Sequence, residues 1–294
     1  RPTPMTLAEL MAQGSQMLQS SEVALGQGTL EMADEAAWLI LWRLGLPLDT
    51  DPQMHINPLS VAQIQSCLTL LQQRIDQRLP SAYLTREAWL QGVDFYVDER
   101  SIVPRSLIAE VLALQSIDLF LSPAPQRILD LCTGNGSLAV LAAMAYPDAL
   151  IEGSDISTDA LAVARINGER HGLSHRIEWR AVAGLAPPLG QYDLILCNPP
   201  YVNEHSMQQL PPEFLAEPRL ALAGGRDGMD FIRPLLAGAH QHLSPHGVLV
   251  LEIGHERDHF DAAFPWLSPI GLSTSAGDDQ VLLLDQQQLK QAPC

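Results

Sequence analysis

From Leu107 to the end of the chain, short apolar runs alternate with segments of helical periodicity, and this alternation constrains the fold more than any other feature. Helical spacing is clear in GSLAVLAAMAYP and in STDALAVARINGERHG. Strands separated by helices pack as a parallel sheet that is covered by helices on both faces. We therefore predict an α/β domain over residues 107–294. Its strands are expected at residues 127–132, 149–155, 176–182, 192–197 and 247–254.

The last part of the chain departs from this pattern. Residues 265–286 contain two strand-like runs joined by SAGDDQ, a short link that suits a hairpin. Strands joined by a hairpin are antiparallel, so we expect the final strand of the mostly parallel sheet to be antiparallel. These two runs bring the predicted sheet to seven strands. Residues 287–291 form a short polar tail that we expect to fray.

The N-terminal part of the chain shows helical periodicity and no strand-like alternation. Apolar residues recur at helix-like spacing in residues 6–25, 31–46 and 59–79. We predict a small helical domain over residues 1–86, with its helical bundle ending at Pro80. The connector that follows, residues 87–106, contains two β-prone runs, Val93–Val97 and Ser101–Val103, on either side of Asp98–Arg100. We expect either a hairpin that turns at Asp98–Arg100 or a bent extended segment.

The charge of the chain is strongly acidic. The sequence has 17 Lys and Arg residues against 34 Asp and Glu residues, which gives a formal net charge of −17. A protein that binds a nucleic-acid backbone carries a basic stripe, and the scattered cations form none here, so free nucleic acid is not an expected partner. A negative surface suits a basic protein through long-range attraction, although the same charge also aids solubility.

The cysteines and the terminal residues bear on the compartment. Cys67, Cys132, Cys197 and Cys294 lie far apart, without a C-x-x-C pair or a histidine at metal-ligand spacing. This argues against a zinc site and a disulfide framework, and it fits a reducing cytosol. The first residues lack the apolar core of a signal peptide, and no apolar run reaches 18 residues. We expect a cytoplasmic protein without a metal site or membrane contact.

A glycine-containing loop follows the first strand of the α/β domain, in ILDLCTGNGSLAV. Asp130 closes the strand, and Gly134 and Gly136 let the backbone approach a ligand closely before the next helix begins. A dinucleotide-binding loop reads G-x-G-x-x-G and binds a pyrophosphate. Here an acid precedes the loop, which disfavours a phosphate and favours a ligand that carries an ammonium and a sulfonium group. A turn with a purely structural role is the alternative.

The second strand of this domain ends in Asp155, 25 residues after Asp130. An acid at this place accepts the two hydroxyls of a ribose in nucleotide-binding sheets. A helix cap is the alternative, because Asp155 and Ser157 both precede helical residues. We expect one residue of this pair to cap the helix while Asp155 binds. The two strand ends together favour S-adenosylmethionine over NAD.

The fourth strand of the domain stops at CNPPYV. Proline cannot continue a sheet ladder, so the strand has to end at Asn198. Asn-Pro is also common in ordinary turns, and a strand-terminating turn is the alternative interpretation. The acids and glycines upstream favour a site.

These stretches carry a family resemblance. DLCTGNG, GSDIS and CNPPYV occur in this order and at this spacing in the class I S-adenosylmethionine-dependent methyltransferases. More narrowly, the chain resembles the protein-glutamine methyltransferases, which modify a side-chain amide nitrogen, and the resemblance covers nearly the whole chain. FYVDERSIVPRS is more similar to the members that modify the third protein of the large ribosomal subunit than to those that modify release factors.

The resemblance implies a Rossmann-like methyltransferase domain that uses S-adenosylmethionine and releases S-adenosylhomocysteine. It also implies that the helical domain recognises the substrate, a glutamine in a basic large-subunit ribosomal protein. The implied cofactor-binding residues are Asp130, Cys132, Thr133, Gly134, Asn135, Gly136, Asp155, Ile156 and Asn198.

The implied catalytic residues are Asn198, Pro199, Pro200 and Tyr201. A primary amide is a poor nucleophile, so the enzyme has to fix its NH₂ group in line with the methyl–sulfur bond. The side-chain oxygen of Asn198 and the carbonyl of Pro199 accept the two N–H groups. The two prolines hold these acceptors in place, and the ring of Tyr201 packs against the planar amide.

Several alternatives stay open. The same motif occurs in enzymes that methylate exocyclic amino groups of nucleobases. A second alternative is a catalytically weak binding or assembly protein that has kept this fold. Relatives often have an acid beside the adenine after the third strand, but none lies between Glu178 and Asp193. We therefore expect backbone groups and apolar contacts around residues 181–185 to hold the adenine. Cys132 stands where many relatives have Gly, and we expect it to pack rather than react.

Other candidates lie outside these motifs. Phe95 and Tyr96 either close over the cofactor or pack in the core. Arg105 either shapes the same lid or is a surface cation. Glu217–Pro218 and the GGRDG turn are expected to form a loop on the substrate side.

Overall fold

The computed structural model describes residues 4–185 and 190–291, which fall into two compact units. The first unit consists of the residues up to Ala88 together with Pro211–Ala216, and the second of Trp89–Leu210 together with the residues from Glu217 onward. The helices are α1 (Leu7–Gln19), α2 (Met32–Leu44), α3 (Val61–Gln77), α4 (Ser81–Thr85), α5 (Ile108–Ala113), α6 (Ser137–Ala145), α7 (Thr158–Arg170), α8 (Glu204–Met207), α9 (Pro212–Leu215), α10 (Ile232–His242), α11 (Arg257–Ala263) and α12 (Gln286–Lys290). The strands are β1 (Glu87–Leu90), β2 (Val93–Tyr96), β3 (Arg127–Leu131), β4 (Leu150–Asp155), β5 (Ile177–Ala181), β6 (Tyr192–Cys197), β7 (Leu243–Glu252), β8 (Ile270–Gly271) and β9 (Val281–Asp285).

The first unit is built on α1, α2 and α3, and polar residues at the helix ends fix where these helices begin and stop. Thr6 with Glu9 and Ser60 with Gln63 form capping boxes at the starts of α1 and α3. α2 ends at Gly45, whose φ of 69° suits a left-handed cap. The three helices bury one shared apolar core, which includes Leu7, Leu10, Leu39, Ile40, Ile64 and Leu71.

A buried ion network lies in this unit and includes the segment Pro211–Ala216. The guanidinium of Arg74 is 1% exposed and donates to Glu35 (3.0 Å), Glu213 (3.0 Å) and the carbonyl of Ala24 (2.9 Å). Arg78 donates to both carboxylate oxygens of Glu213, at 2.6 and 2.9 Å. Burial alone would raise the pKa of Glu213, but the hydrogen bonds from Arg78, Ala24 and Arg74 outweigh it and lower the pKa to about 2. Glu213 is therefore a charged residue fully enclosed by its partners.

The second unit contains a seven-stranded sheet in the order β5-β4-β3-β6-β7-β9-β8. β5, β4, β3, β6 and β7 are parallel, and β9 is antiparallel to both β7 and β8. Both faces of the sheet are buried. Alternate residues of a strand enter opposite cores: Ile128, Leu194 and Leu196 belong to one, and Leu129, Ile195 and Cys197 to the other.

The strand order reverses at β3, which places a crevice at the carboxyl ends of the strands. β3 is followed in the chain by β4 on one side, whereas β6 pairs with β3 on the other side. Ligands of doubly wound sheets bind in the crevice outside such a switch point. Leu131 is paired with Ser154 of β4 and with Cys197 of β6, so the three strands end at the same level.

The predicted fold class is confirmed: the sheet has seven strands, is mostly parallel and ends in an antiparallel strand, and helices form the N-terminal part. Two local expectations were wrong, and of the two alternatives for the connector, the hairpin that turns at Asp98–Arg100 is contradicted. The bundle does not end at Pro80, because α4 begins at Ser81. Residues 287–291 do not fray, since Asp285 caps α12 by accepting from the N–H of Gln288 (2.7 Å) and Leu289 is buried.

The hairpin of the connector also lies elsewhere. It consists of β1 and β2, with its turn at Gln91–Gly92, where φ is 51° and 73°. Ser101–Val103 is not a strand. Side chains take the place of a partner strand there, since Asn135 donates to the carbonyl of Ile102 (2.8 Å) and Glu217 accepts from the N–H of Val103 (2.8 Å). Within the described residues, no helix is both long enough and apolar enough to cross a membrane.

Replacing Glu213 by Ala leaves Arg74 and Arg78 without their shared buried counter-charge. We expect the free energy of unfolding to fall by about 3–5 kcal/mol, as is usual when one partner of a buried ion pair is removed. Urea denaturation followed by far-UV circular dichroism measures the change. Glu22→Ala is the control, because Glu22 also faces Arg78, at 3.9 Å, but its side chain is 96% exposed. Equal stability of the two variants would contradict a structural role for the buried network.

Candidate active site

A cavity of about 540 Å³ lies at the carboxyl ends of β3, β4 and β6, within the range of small-molecule sites. Of the residues predicted to form a site, those that line it are Cys132, Gly134, Asp155, Ile156, Asn198 and Pro200. Asp130, Thr133, Asn135, Gly136, Pro199 and Tyr201 do not line it. The structure thus brings residues of all three predicted motifs to one cavity, with their neighbours supporting them from behind.

Asp130 fixes the glycine loop from beneath. Its carboxylate is fully buried, and Oδ2 accepts from the hydroxyl of Thr133 (2.6 Å) and from the N–H of Ala139 in α6 (3.0 Å). Its Oδ1 is buried and has no hydrogen-bond partner among the described residues. Burial raises the pKa of Asp130 to about 7, and the nearby carboxylate of Asp155 adds to the rise.

The loop between β3 and α6 has an unusual backbone. Cys132, Gly134 and Gly136 have φ values of 61°, 55° and 79°, in the left-handed region that favours glycine. A Cβ at Gly136 would lie 2.8 Å from the ring of Trp179, so close packing also excludes a side chain there. A Cβ at Gly134 would meet no protein atom within 4 Å. Glycine at 134 therefore leaves open space on the cavity side of the loop.

Asp155 joins the loop to the next helix. Its Oδ2 accepts from the N–H of Gly134 (2.9 Å), and its Oδ1 accepts from the N–H of Ser157 (2.9 Å). The hydroxyl of Ser157 caps α7 by accepting from the N–H of Ala160 (3.1 Å), so Ser157 is the cap of this pair. Burial raises the pKa of Asp155. Asp155 is left at the cavity with lone pairs to spare on both oxygens.

The stretch after β5 forms an apolar wall. Val182, Ala183, Gly184 and Leu185 all line the cavity, which is where the sequence predicted an apolar contact for an adenine. Ile156, which is 58% exposed, lines it as well.

Asn198 follows the last residue of β6 and lines the cavity. Its Oδ1 is buried without a hydrogen-bond partner in the described part of the chain. An unpaired buried acceptor costs about 1–3 kcal/mol, so this oxygen is held ready for a donor at a cost to stability. Pro199 and Pro200 limit how the backbone of Asn198 can relax.

The backbone after the motif is held by the GGRDG turn. Val202 donates to the carbonyl of Leu222 (2.8 Å), and Gly224 donates to the carbonyl of Val202 (2.8 Å). A Cβ at Gly224 would lie 2.7 Å from the Cα of Tyr201, and one at Gly228 would lie 2.4 Å from its carbonyl oxygen. The glycines of this turn are needed because the backbone of the motif passes so close.

Tyr201 lies behind the cavity instead of on its surface. Its hydroxyl donates to Oε1 of Glu252 (3.2 Å), and a Cβ at Gly254 would lie 2.4 Å from its ring. Burial and the nearby carboxylate of Glu252 raise the pKa of Tyr201 well above its ordinary value. In this geometry the tyrosine supports the motif from below.

Two buried acids, Glu217 from the predicted substrate-side loop and Glu252, which the sequence did not indicate as a site residue, hold the connector against this region. Glu252, at the end of β7, accepts from the hydroxyl of Ser106 (2.5 Å) and from the N–H of Leu107 (2.9 Å). Glu217 accepts from the guanidinium of Arg105 (2.7 Å) as well as from the connector backbone. An acid inside the apolar run GVLVLEIG was the available signal for Glu252.

The remaining candidates are accounted for by packing. Phe95 is fully buried in the core, and the hydroxyl of Tyr96 donates to Asp98 (2.8 Å). Arg105 is therefore an ion-pair partner of Glu217 and not a free surface cation. No group of three or more His, Cys, Asp or Glu residues that could hold a metal ion occurs within residues 4–185 and 190–291.

Comparison with known proteins agrees with this arrangement. Residues 111–259 match the family model of the methyltransferase small domain, so this part of the chain is a methyltransferase domain and the protein is an enzyme. The chain is 50% identical to the ribosomal protein uL3 glutamine methyltransferase of Bordetella pertussis, over 97% of this chain and 96% of that protein. It is 44% identical to the protein of the same name from Burkholderia pseudomallei, over 98% of this chain and 97% of that protein. The chain belongs to this family of protein-glutamine methyltransferases.

A crystal structure of a methyltransferase from Pyrococcus furiosus is also similar to this chain. It is 17% identical with a TM-score of 0.48, and the match covers 67% of this chain and 90% of that one.

Asp130→Asn tests the state of the buried carboxyl. The shift of its pKa from 3.8 to about 7 means that between these values the folded protein holds a proton that the unfolded chain has lost. The stability of the wild type therefore falls as pH rises through this window, by at most about 4 kcal/mol. The amide keeps an oxygen for Thr133 and Ala139 and does not titrate.

We expect the difference in unfolding free energy between variant and wild type to move in favour of the variant from pH 4.5 to 7.5, measured by urea denaturation without cofactor. Asp148→Asn, at an exposed acid, is the control. A difference that stays flat with pH would show that Asp130 ionises normally in the folded protein.

Proposed function

We propose that this chain transfers a methyl group from S-adenosylmethionine to the side-chain amide nitrogen of a glutamine in ribosomal protein uL3. The observation that carries the proposal is the unpaired Oδ1 of Asn198 at the wall of a cavity shared with Gly134 and Asp155. The names of the relatives, which match over nearly the full length of both chains, supply the substrate.

The residues of the cavity fit the cofactor. Asp155 would accept the ribose hydroxyls, Val182–Leu185 would contact the adenine, and the open space above Gly134 would take the chain that carries the sulfur. The carboxylate of Asp155 at the cavity makes this edge of the sheet negative, which suits a sulfonium and an ammonium group. When bound, the cofactor supplies a methyl group made electrophilic by a positively charged sulfur.

The acceptor amide would be oriented by the motif. The Oδ1 of Asn198, which lines the cavity, would accept one N–H group of the glutamine and so orient its nitrogen. The resemblance assigns the second N–H group to the carbonyl of Pro199, but Pro199 is buried and does not line the cavity. The transfer needs no strong base, because the nitrogen loses its proton to solvent after it has gained the methyl group. Proximity and orientation are the main sources of rate enhancement in such a site.

The acidic charge of the chain supports a basic substrate. The net charge of −17 would attract a cationic ribosomal protein at long range and would repel bare nucleic acid. The helical unit would supply recognition of the protein substrate, as the resemblance implies.

The substrate is tested with labelled S-adenosylmethionine and ribosomal proteins from cells that lack this activity. We expect label in uL3, with the methyl group mapped to a glutamine by mass spectrometry. Release factors and bare ribosomal RNA are offered in parallel. Label in a release factor or in RNA, with none in uL3, would replace the proposed substrate.

Asn198→Ala separates binding from turnover. We expect turnover to fall by about 100-fold or more, because one preorganised group of this kind is usually worth that much, while binding of S-adenosylhomocysteine stays within a few-fold. Asn203→Ala is the control: it removes the cap of α8 without touching the cavity, and we expect turnover close to wild type. Turnover retained in Asn198→Ala would rule out its assigned role.

A further inference from the structure

One cation lies at the wall of a cavity whose other charged residues are acidic. Of the described residues that line the cavity, Arg100 is the only Lys, Arg or His, and the charged residues besides it are Asp155 and Asp230.

The guanidinium of Arg100 is held in one orientation by Asp98. Its Nε donates to both carboxylate oxygens (2.9 and 3.1 Å), and its Nη2 donates to Oδ2 (2.7 Å). The carboxylate is 4% exposed and also accepts from the hydroxyl of Tyr96. Burial alone would raise the pKa of Asp98, but these hydrogen bonds lower it to about 2.

This pairing occupies the Nε–Nη2 edge of the guanidinium and does not involve Nη1. Nε and Nη2 of Arg100 donate to Asp98, and the phenol of Tyr96, which itself donates to Asp98, also interacts with this guanidinium. Nη1 has no partner among the described residues. A planar group fixed on one edge presents donors on the other with little further loss of freedom.

The connector that carries Arg100 is fastened to the glycine loop. Asn135 of the loop donates to the carbonyl of Ile102, two residues from Arg100. Asn167 of α7 donates to the carbonyls of both Asn135 and Tyr96 (2.8 and 2.9 Å). Arg100 thus borders the part of the cavity that lies over β3.

The order of the strands indicates which part of a ligand reaches this place. The apolar wall follows β5, Asp155 ends β4, and the glycine loop follows β3. If these strand ends take base and ribose in turn, as proposed above, the amino-acid end of the cofactor lies over the glycine loop. That end carries the single negative charge of the cofactor.

We infer that Arg100 binds the α-carboxylate of S-adenosylmethionine through Nη1, with Asp98 as the residue that orients it. This inference rests on the proposed function, since it assigns one more contact in the same site. The acids near the loop match the two positive groups of the cofactor, and Arg100 matches its one negative group. A charge-assisted hydrogen bond of this kind is stronger than a neutral one.

The test compares S-adenosylhomocysteine with its decarboxylated analogue, in which a 3-aminopropyl group on the sulfur replaces the 3-amino-3-carboxypropyl group. Titration calorimetry gives both affinities for wild type and for Arg100→Gln. We expect wild type to prefer the carboxylated ligand by about 10- to 100-fold, and Arg100→Gln to lose this preference by weakening that ligand alone. A preference that survives in Arg100→Gln, or none in wild type, would overturn the assignment.

Two further variants sharpen the result. Arg100→Lys keeps the charge without the fixed planar edge, so an intermediate preference is expected. Arg170→Gln is the control, because Arg170 also pairs with an aspartate, Asp94 (3.1 Å), but does not line the cavity. Failure of wild type to bind either ligand would refute the proposed function itself, whereas binding with an unchanged preference in Arg100→Gln refutes the role of Arg100 alone.

Discussion

The hydrogen bonds to one oxygen of Asp130 are the constraint on which the rest of the site depends. Oδ2 receives the hydroxyl of Thr133 and the first-turn N–H of Ala139, so a single atom joins strand, loop and helix. The N–H of Thr133 also donates to the carbonyl of Ser154, which ties the loop to β4 (2.9 Å). With these contacts made, the loop keeps its left-handed residues, including Cys132, whose side chain makes that conformation costly.

Buried carboxylates at this site accept backbone N–H groups that a neighbouring strand would accept in a sheet. The connector before α5 has backbone N–H groups that no strand satisfies, and Glu217 and Glu252 accept them instead. Burying an acid costs free energy unless donors surround it, and each of these acids has at least two. The same contacts that satisfy the acids thereby fix the wall of the cavity and the support of Tyr201.

The sequence predicted the sheet well because its signals are local. Apolar runs of six or seven residues define β3 to β6 to within one residue at each end. The position of the cavity at the strand ends was predictable for the same reason. In a parallel sheet the carboxyl ends of neighbouring strands lie at the same edge, so the strand pairing alone brings these ends together.

What the sequence did not predict depends on contacts between distant residues. Glu213 is paired with Arg74, 139 residues away, and no period or motif marks that pair. The assignment of Pro211–Ala216 to the helical unit was missed for this reason. The hairpin was misplaced because Asp98 forms a local turn with Arg100, which resembles a hairpin turn in sequence, while side chains bind the residues that follow.

In the proposed reaction, buried polar atoms that lack a partner lie both where the cofactor would bind and where the acceptor amide would be oriented. Among the described residues, Oδ1 of Asp130, Oγ of Ser154 and Oδ1 of Asn198 are such atoms, and they end β3, β4 and β6. Leaving these atoms unpaired costs stability, and such costs are concentrated at functional sites. The atoms on β3 and β4 belong to the acidic side of the cavity, where a cation would be held. Oδ1 of Asn198, after β6, is a neutral acceptor. In the proposed reaction it would orient an N–H group of the acceptor amide without attracting the sulfonium by charge.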